Sequence, residues 1–159
     1  MTASASRPNL LLIMSDQHRG DCLDFVNQAN GERTRVQTPH MRRLADSGAA
    51  FTRFYSECPV CVPARALLST GLLPHHIPPN GMFANGDVLP ADHPTLASIL
   101  SQNGYFTQAI GKMHFRPVRE RHGFNRLWLS EEIPWSIEED EFLQFTIAAG
   151  YGQIGRAHV

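Results

Sequence analysis

The apolar run Leu-Leu-Leu-Ile-Met at residues 10–14 constrains the fold of this chain more than any other segment. It lacks the polar alternation of a strand that has one face in water, and it ends abruptly at Ser15-Asp16-Gln17. Continuous apolar runs of this kind are typical of strands that are buried on both faces of a parallel sheet. We therefore expect residues 10–14 to form a strand of an α/β domain.

The order of the other predicted elements favours the same fold class. Helices are indicated at 38–48, 63–70 and 93–104 and from about 136, strands at 49–56 and 105–111, and a long Pro-, Gly- and His-rich loop at 72–93. Because strands alternate with helices, the connections between strands should be crossovers. This predicts a mostly parallel sheet flanked by helices.

Composition narrows the class of protein. A chain of 159 residues is long enough for one ordinary domain. Its net charge of −1 gives no reason to expect nucleic acid or a membrane surface as a partner. Three cysteines do not form a disulfide framework. The apolar run near the start is too short for a signal peptide or a membrane span, so we expect a cytoplasmic protein.

Chemically active residues follow three predicted strands. They are Asp16 and Gln17 after the first, Cys61 and Arg65 after the second, and Lys112 and His114 after the third. Ligands of open α/β sheets bind outside the carboxyl ends of the strands. Carboxylate and amide oxygens suit a hard divalent cation, whereas arginine, lysine and a helix N-terminus suit a tetrahedral anion. A metal beside an oxyanion and a nucleophile predicts sulfuryl or phosphoryl transfer.

Four separated segments, in the same order along the chain, resemble the sulfatase family. Residues 61–71, CVPARALLSTG, resemble its signature, Cys-x-Pro-Ser/Ala-Arg followed by a helix and Thr-Gly. The others are RPNLLLIMSDQ at 7–17, TPHMRRLADSGAAFTRFYS at 38–56 and GKMHF at 111–115. The resemblance extends from about residue 7 to residue 122 and implies an alkaline-phosphatase-like α/β fold.

The resemblance also implies a modified nucleophile at position 61. A formylglycine-generating enzyme would oxidise Cys61 to formylglycine, an aldehyde that becomes hydrated to a diol. One hydroxyl of the diol would attack sulfur, and the other would expel sulfate as the aldehyde re-forms. The substrate implied is a sulfate ester of a small molecule or a glycan.

The remaining site residues take their roles from the same resemblance. Asp16, Gln17 and the diol of residue 61 would bind one divalent metal ion, for which we expect calcium, with magnesium and manganese as alternatives. Gln17 stands where the family more commonly has a second acidic ligand. Arg65 would hold the diol, and Lys112 and His114 would contact sulfate oxygens or the leaving group.

Other interpretations of these residues remain open at this point. A phosphonate or phosphate ester hydrolase of the same superfamily would use the same nucleophile and metal. Cys58-x-x-Cys61 also suits a thioredoxin-like redox pair or half of a zinc site. Each candidate residue also has a non-catalytic interpretation. Asp16 could cap a turn, Lys112 could be an ordinary surface charge, and His114 could have a structural role. Lys112 is the only lysine among 14 basic residues, and the other 13 are arginines. Because this chain otherwise uses arginine for its positive charges, a lysine here favours a specific role over an ordinary surface charge.

The ends of the sequence carry expectations of their own. We expect a polar tail at 1–6 and the N-terminal part of a sulfatase catalytic domain at 7–153. Catalytic domains of this family are much longer, so the chain alone should be an inactive fragment. QIGRAHV at 153–159 matches the translation of a common sequencing adapter, which predicts that 154–159 are not native.

Overall fold

The computed structural model describes residues 7–33, 36–77 and 83–151. The chain divides into two compact units, residues 1–55 and residues 56–159. The predicted tail at 1–6 and the predicted non-native end at 154–159 lie outside the described residues and stay predictions. Among the described helices, none combines the length and the hydrophobicity needed to cross a bilayer.

The described residues of the N-terminal unit contain three short helical segments. They are a 3-10 helix at Gly20–Cys22, helix α1 at Asp24–Ala29 and helix α2 at Pro39–Ser47. The prediction of a helix at 38–48 is confirmed, with proline in its first turn and Gly48 directly after its end. Proline is favoured there because the first N–H groups of a helix have no acceptor within it.

The two predicted strands of this unit are wrong. Residues 10–14 form no strand, and Leu11 is 85% exposed. A strand that is buried on both faces needs neighbours for its backbone and layers for its side chains, and among the described residues no strand pairs with this run. Residues 49–56 contain a turn instead of a strand, and Phe54 is also 85% exposed.

The C-terminal unit contains most of the regular structure. Its elements are α3 at Cys61–Thr70, a 3-10 helix at Pro74–His76, α4 at Leu96–Gln102, β1 at Gln108–Gly111, β2 at Arg126–Leu129, a 3-10 helix at Ile137–Glu139 and α5 at Glu141–Ala148. The helices predicted at 63–70 and 93–104 and the strand at 105–111 are confirmed. The last predicted helix begins five residues later than expected, after the 3-10 turn.

Helix α3 has clear sequence determinants for its position. Pro63 lies in its first turn, and Gly71 ends it in the left-handed conformation (φ 70°) while its N–H bonds to the carbonyl of Leu67 at 2.7 Å. Val62 and Ala66, on one face, pack into a small core with three further apolar side chains, Ile77, Phe83 and Leu89. This packing fixes which way the start of α3 faces.

Strands β1 and β2 form a parallel pair, which confirms the predicted parallel α/β class. Their register places Gly111 opposite Leu129. Ala109, Leu127 and Leu129 form a second small core beneath the sheet. The sequence prediction missed β2, because its four residues are too short a pattern to distinguish from an irregular segment.

Helix α4 packs tightly against the turn that precedes β2. The side chains of Thr95 and Ser98 form a capping box at the helix start, and the Thr95 hydroxyl also donates to the carbonyl of His122. Gly123 has φ 91°, and a Cβ atom there would lie 2.3 Å from the backbone nitrogen of Ser98. Only glycine allows this approach between the turn and the helix.

We therefore expect Gly123→Ala to destabilise the chain much more than Gly71→Ala. Both glycines have positive φ, but an added Cβ at Gly71 would have no atom within 4 Å. The conformational penalty alone is about 1–2 kcal/mol. With the added clash, Gly123→Ala should cost about 3 kcal/mol or more of the free energy of unfolding. Urea unfolding of both variants measures this, and equal losses would contradict the packing described.

Candidate active site

Parallel pairing of β1 and β2 brings two segments to the same edge of the sheet. Because Gly111 and Leu129 are register partners at the strand ends, the residues that follow them leave the sheet side by side. The first segment contains Lys112 and His114, and the second contains the acidic pair at 131–132. Side chains from two distant parts of the sequence therefore meet at the carboxyl ends of the strands.

The start of helix α3 lies against the first of these segments. Cys61 and Arg65 are four residues apart and so share one face of the helix. The Arg65 Nε–H donates to the carbonyl of Lys112 at 3.1 Å. The Lys112 Nζ lies 3.4 Å from the Cys61 Sγ. Three of the predicted site residues are thus in direct contact.

Glu132 is a further charged member of the cluster, one that sequence reasoning missed. Its Oε2 accepts a hydrogen bond from the Lys112 Nζ at 2.7 Å and lies 3.9 Å from the Nε2 of His114. The Lys112 side chain is only 15% exposed, so this ion pair is partly shielded from solvent. The signal that would have found Glu132 is its place just beyond β2, the strand that was not predicted.

Glu131 holds the Lys112–His114 segment by its backbone. This side chain is buried, and its Oε1 accepts hydrogen bonds from the N–H groups of Met113 at 2.8 Å and His114 at 3.1 Å. His114 has φ 56°, a left-handed conformation that costs free energy for a non-glycine residue. The two hydrogen bonds to a buried carboxylate offset that cost and fix the position from which the His114 side chain projects.

The same chain of contacts continues into helix α5. The N–H of Glu131 donates to the Oδ2 of Asp140 at 2.7 Å, and the N–H of Leu143 donates to its Oδ1 at 2.7 Å. Asp140 is fully buried and is the N-cap of α5. An acidic N-cap stabilises a helix because it accepts from N–H groups that lack a partner in the helix. One carboxylate therefore serves both the helix and the site.

His114 is the uncharged member of the cluster at neutral pH. Burial lowers the pKa of its imidazole; Glu131 opposes this shift and Lys112 adds to it. The contact of 3.9 Å with Glu132 is consequently not an ion pair at neutral pH. The Nδ1 atom is buried, and among the described residues it has no hydrogen-bond partner.

Asp16 and Gln17 belong to the N-terminal unit, whereas the residues of the cluster described above belong to the C-terminal unit. Both are exposed, and Gln17 has φ 51°. Their carboxylate and amide oxygens suit a hard cation such as calcium. The Cys61 sulfur is a soft ligand and does not, whereas a hydroxyl at position 61 would. The assignment of these three residues to one metal ion stays a prediction.

Comparison with known proteins decides the family. The chain matches the Sulfatase family model over residues 8–151. It belongs to the sulfatase family. The parallel sheet with its flanking helices agrees with the alkaline-phosphatase-like α/β fold that the resemblance predicted.

Named sulfatases align with most of this chain. It is 36% identical over 126 residues to an arylsulfatase of Clostridium perfringens, which covers 79% of this chain and 24% of that relative. It is 35% identical over 149 residues to arylsulfatase A of Bos taurus, in an alignment that covers 86% of this chain and 27% of that relative. A choline-sulfatase of Rhizobium meliloti is 31% identical over 131 residues, in an alignment that covers 82% of this chain and 24% of that relative. The sulfatase chain thus spans about a quarter of the length of these relatives.

The buried histidine His122 should make the stability of this sulfatase chain depend on pH. It is 2% exposed, its ring meets Phe115 edge-on with the centroids 4.5 Å apart, and burial lowers its pKa while Glu120 opposes the shift. Since the unfolded pKa is about 6.5, the unfolded chain binds a proton below this value more readily than the folded chain. The contribution of neutral His122 to the free energy of unfolding is complete above the pKa of the unfolded chain. It decreases as pH falls toward the lower pKa of the folded chain.

We expect the free energy of unfolding to decrease between about pH 7.5 and about pH 5.5, and His122→Asn to reduce this decrease. Asparagine does not titrate and tolerates the left-handed backbone of position 122 (φ 41°). Urea unfolding at the two pH values measures the effect, with His18→Asn at an exposed histidine as the matched control. An unchanged pH dependence in His122→Asn would exclude His122 as its source.

Proposed function

We propose that this chain is part of a sulfuric ester hydrolase that cleaves sulfate esters of small molecules or glycans. The observation that carries the proposal is the direct contact of Cys61, Arg65 and Lys112 at the start of α3, with His114 in the same cluster. These four are the residues that the sulfatase signature and the Gly-Lys-x-His segment predict for catalysis. The relatives named as sulfatases support the reaction class.

The two cations and the helix start suit an anionic substrate group. The Lys112 ammonium, the Arg65 guanidinium and the N-terminal end of α3 all attract the oxygens of a sulfate ester. Of these, Lys112 is already paired with Glu132 at 2.7 Å. An incoming sulfate oxygen would compete with Glu132 for the ammonium, so the Glu132 carboxylate would oppose binding until Lys112 turns toward the substrate.

His114 would act on the leaving group. A neutral imidazole carries one N–H donor and one free nitrogen, so it can hold a proton at Nε2 against the ester oxygen that departs. The Glu131 carboxylate accepts hydrogen bonds from the backbone N–H groups of Met113 and His114 and so fixes the position from which this ring projects. The neutral ring would donate a hydrogen bond from its Nε2–H, and full transfer of a proton to the departing oxygen would require the charged imidazolium.

The nucleophile requires the proposed conversion of Cys61 to formylglycine by a formylglycine-generating enzyme. The hydrated aldehyde supplies two hydroxyl groups on one carbon, one to attack sulfur and one to expel sulfate. Arg65 shares the helix face of residue 61 and would orient these groups. The redox alternative has no support from the family match, and all three cysteines are free thiols.

One divalent metal ion, for which we propose calcium over magnesium or manganese, would be held by Asp16, Gln17 and the oxygen of the converted residue 61. Such an ion would polarise a sulfate oxygen and would offset negative charge on the attacking hydroxyl of residue 61. The oxygen donors fit a hard cation. Gln17 contributes no charge, so Asp16 would supply the only carboxylate among these three residues.

The first test separates the two cysteines of the CxxC sequence. In the full-length protein produced with a formylglycine-generating enzyme, peptide mass analysis should show an aldehyde at position 61 and a thiol at Cys58. Cys61→Ser should lose nearly all aryl sulfatase activity, because a single hydroxyl can accept the sulfuryl group but cannot expel it.

Cys58→Ser is the matched control and should keep most of the activity. Equal losses in the two variants, with a disulfide between Cys58 and Cys61, would favour a redox pair instead. Comparison of aryl sulfate with aryl phosphonate esters on the same full-length protein distinguishes a sulfatase from a phosphonate hydrolase. Faster turnover of the phosphonate would overturn the substrate class.

The second test concerns the metal. Asp16→Ala in the full-length protein should lower kcat by at least about a hundredfold and reduce the amount of calcium retained after dialysis, because a charged ligand is lost. Asp46→Ala removes an exposed carboxylate from α2 and is the matched control. Normal turnover and calcium content in Asp16→Ala would remove this residue from the site.

A further inference from the structure

The cluster at the start of α3 contains a set of metal-binding atoms that the proposed reaction does not use together. The Cys61 Sγ, one imidazole nitrogen of His114 and one carboxylate oxygen of Glu132 all lie within 4.8 Å of one another. Among residues 7–33, 36–77 and 83–151 this is the one such group of three. We propose that these three residues bind a zinc ion while Cys61 is still an unmodified thiol.

The donor set is the first argument. Thiolate, imidazole and carboxylate are the three ligand types of protein zinc sites, and sulfur excludes calcium and magnesium as the preferred ions. Three protein ligands leave a fourth tetrahedral position for water. The site thus has a different chemistry from the oxygen-only site of Asp16 and Gln17.

The geometry is the second argument. A tetrahedral zinc ion requires its ligand atoms to be about 3.3–3.7 Å apart. The His114 Nε2 and the Glu132 Oε2 are 3.9 Å apart, already close to that spacing. Cys61 and His114 are both partly buried, and the hydrogen bonds of Glu131 to the backbone at Met113 and His114 hold the ring in place. Small side-chain movements suffice to close the set around one ion.

Lys112 provides the third argument, because its ammonium already occupies the position of a cation in this group. Its Nζ lies 3.4 Å from the Cys61 Sγ and 2.7 Å from the Glu132 Oε2, two of the three proposed ligands. Zinc would displace the ammonium together with the thiol proton. The lysine side chain is long and flexible enough to move aside, and its positive charge would weaken the binding of zinc.

This zinc site and the proposed nucleophile exclude each other. Conversion of Cys61 to formylglycine removes the sulfur ligand, so only the unconverted chain would bind zinc in this way. The inference depends on the thiol and not on the proposed function. Failure to bind zinc would leave the formylglycine test by mass analysis unaffected.

The experiment uses the purified chain of 159 residues, reduced, with cobalt(II) as a spectroscopic probe and zinc as competitor. We expect a thiolate-to-cobalt charge-transfer band together with the visible bands of a tetrahedral ion, and the loss of both on addition of zinc. Lys112→Met should raise the apparent affinity for zinc about tenfold or more, because it removes a positive charge from the site. A purely structural effect of that variant would not strengthen binding.

Three further variants identify the ligands. Cys61→Ser should abolish the charge-transfer band. Glu132→Gln should weaken zinc binding about tenfold or more, because loss of a group that only orients a ligand already costs about 10–100-fold and Glu132 is proposed as a direct ligand. Cys58→Ser is the matched control and should leave both spectra and affinity unchanged. Zinc should also protect Cys61, but not Cys58, from alkylation in peptide mapping.

Two results would overturn the proposal. One is an octahedral cobalt spectrum without a thiolate band in the parent chain. The other is loss of the band in Cys58→Ser to the same extent as in Cys61→Ser, which would assign the metal to the cysteine pair.

Discussion

The buried carboxylate of Glu131 is the interaction on which the candidate site depends most directly. β1 and β2 bring their following residues to one edge of the sheet, but a parallel pair alone leaves the loop after Gly111 free to take many conformations. Hydrogen bonds from the N–H groups of Met113 and His114 to Glu131 select one of them. Without them, the left-handed backbone at His114 would be unfavourable.

The charges around Cys61 form a balanced arrangement. The cluster contains two cations, Arg65 and Lys112, two carboxylates, the exposed Glu132 and the buried Glu131, and a neutral histidine. A carboxylate so close to Lys112 would weaken the attraction for the proposed sulfate group, but it keeps the ammonium at the site. The same carboxylate adds a ligand that a thiol and an imidazole need to bind a soft metal. Glu132 therefore contributes in opposite directions to the two kinds of ligand.

Local sequence signals predicted α2, α3, α4 and α5 but missed α1, and they predicted the strands poorly. Residues that favour the start or the end of a helix act within one turn of the chain, so the helix bounds follow from neighbouring residues. Thr38-Pro39 and Gly48 bound one helix in this way, and Pro63 and Gly71 bound another. A strand depends on partners elsewhere: residues 10–14 have none among the described residues, and β2 exists because β1 lies beside it. Motifs also predicted that Cys61, Arg65, Lys112 and His114 share one site, and the structure places these four residues in one cluster.

Glu131 and Glu132 were not predictable in the same way. Their importance comes from the register of a strand that has no distinctive sequence, and from backbone groups that no side-chain pattern reveals. Asp16 and Gln17 lie in the separate N-terminal unit, so their role at the metal rests on the motif alone. Motifs thus point to the candidate reacting side chains but not to the residues that position them.

Asp140 couples local unfolding of the C-terminal helix α5 to the candidate site. Its two oxygens accept from Leu143, at the start of α5, and from Glu131, which holds the loop of His114. When the first turn of α5 unravels, the cap is lost and Glu131 loses one of its anchors. Amide hydrogens at Leu143, Met113 and His114 should then exchange with solvent through a common opening, although the helix and the loop are some thirty residues apart along the chain.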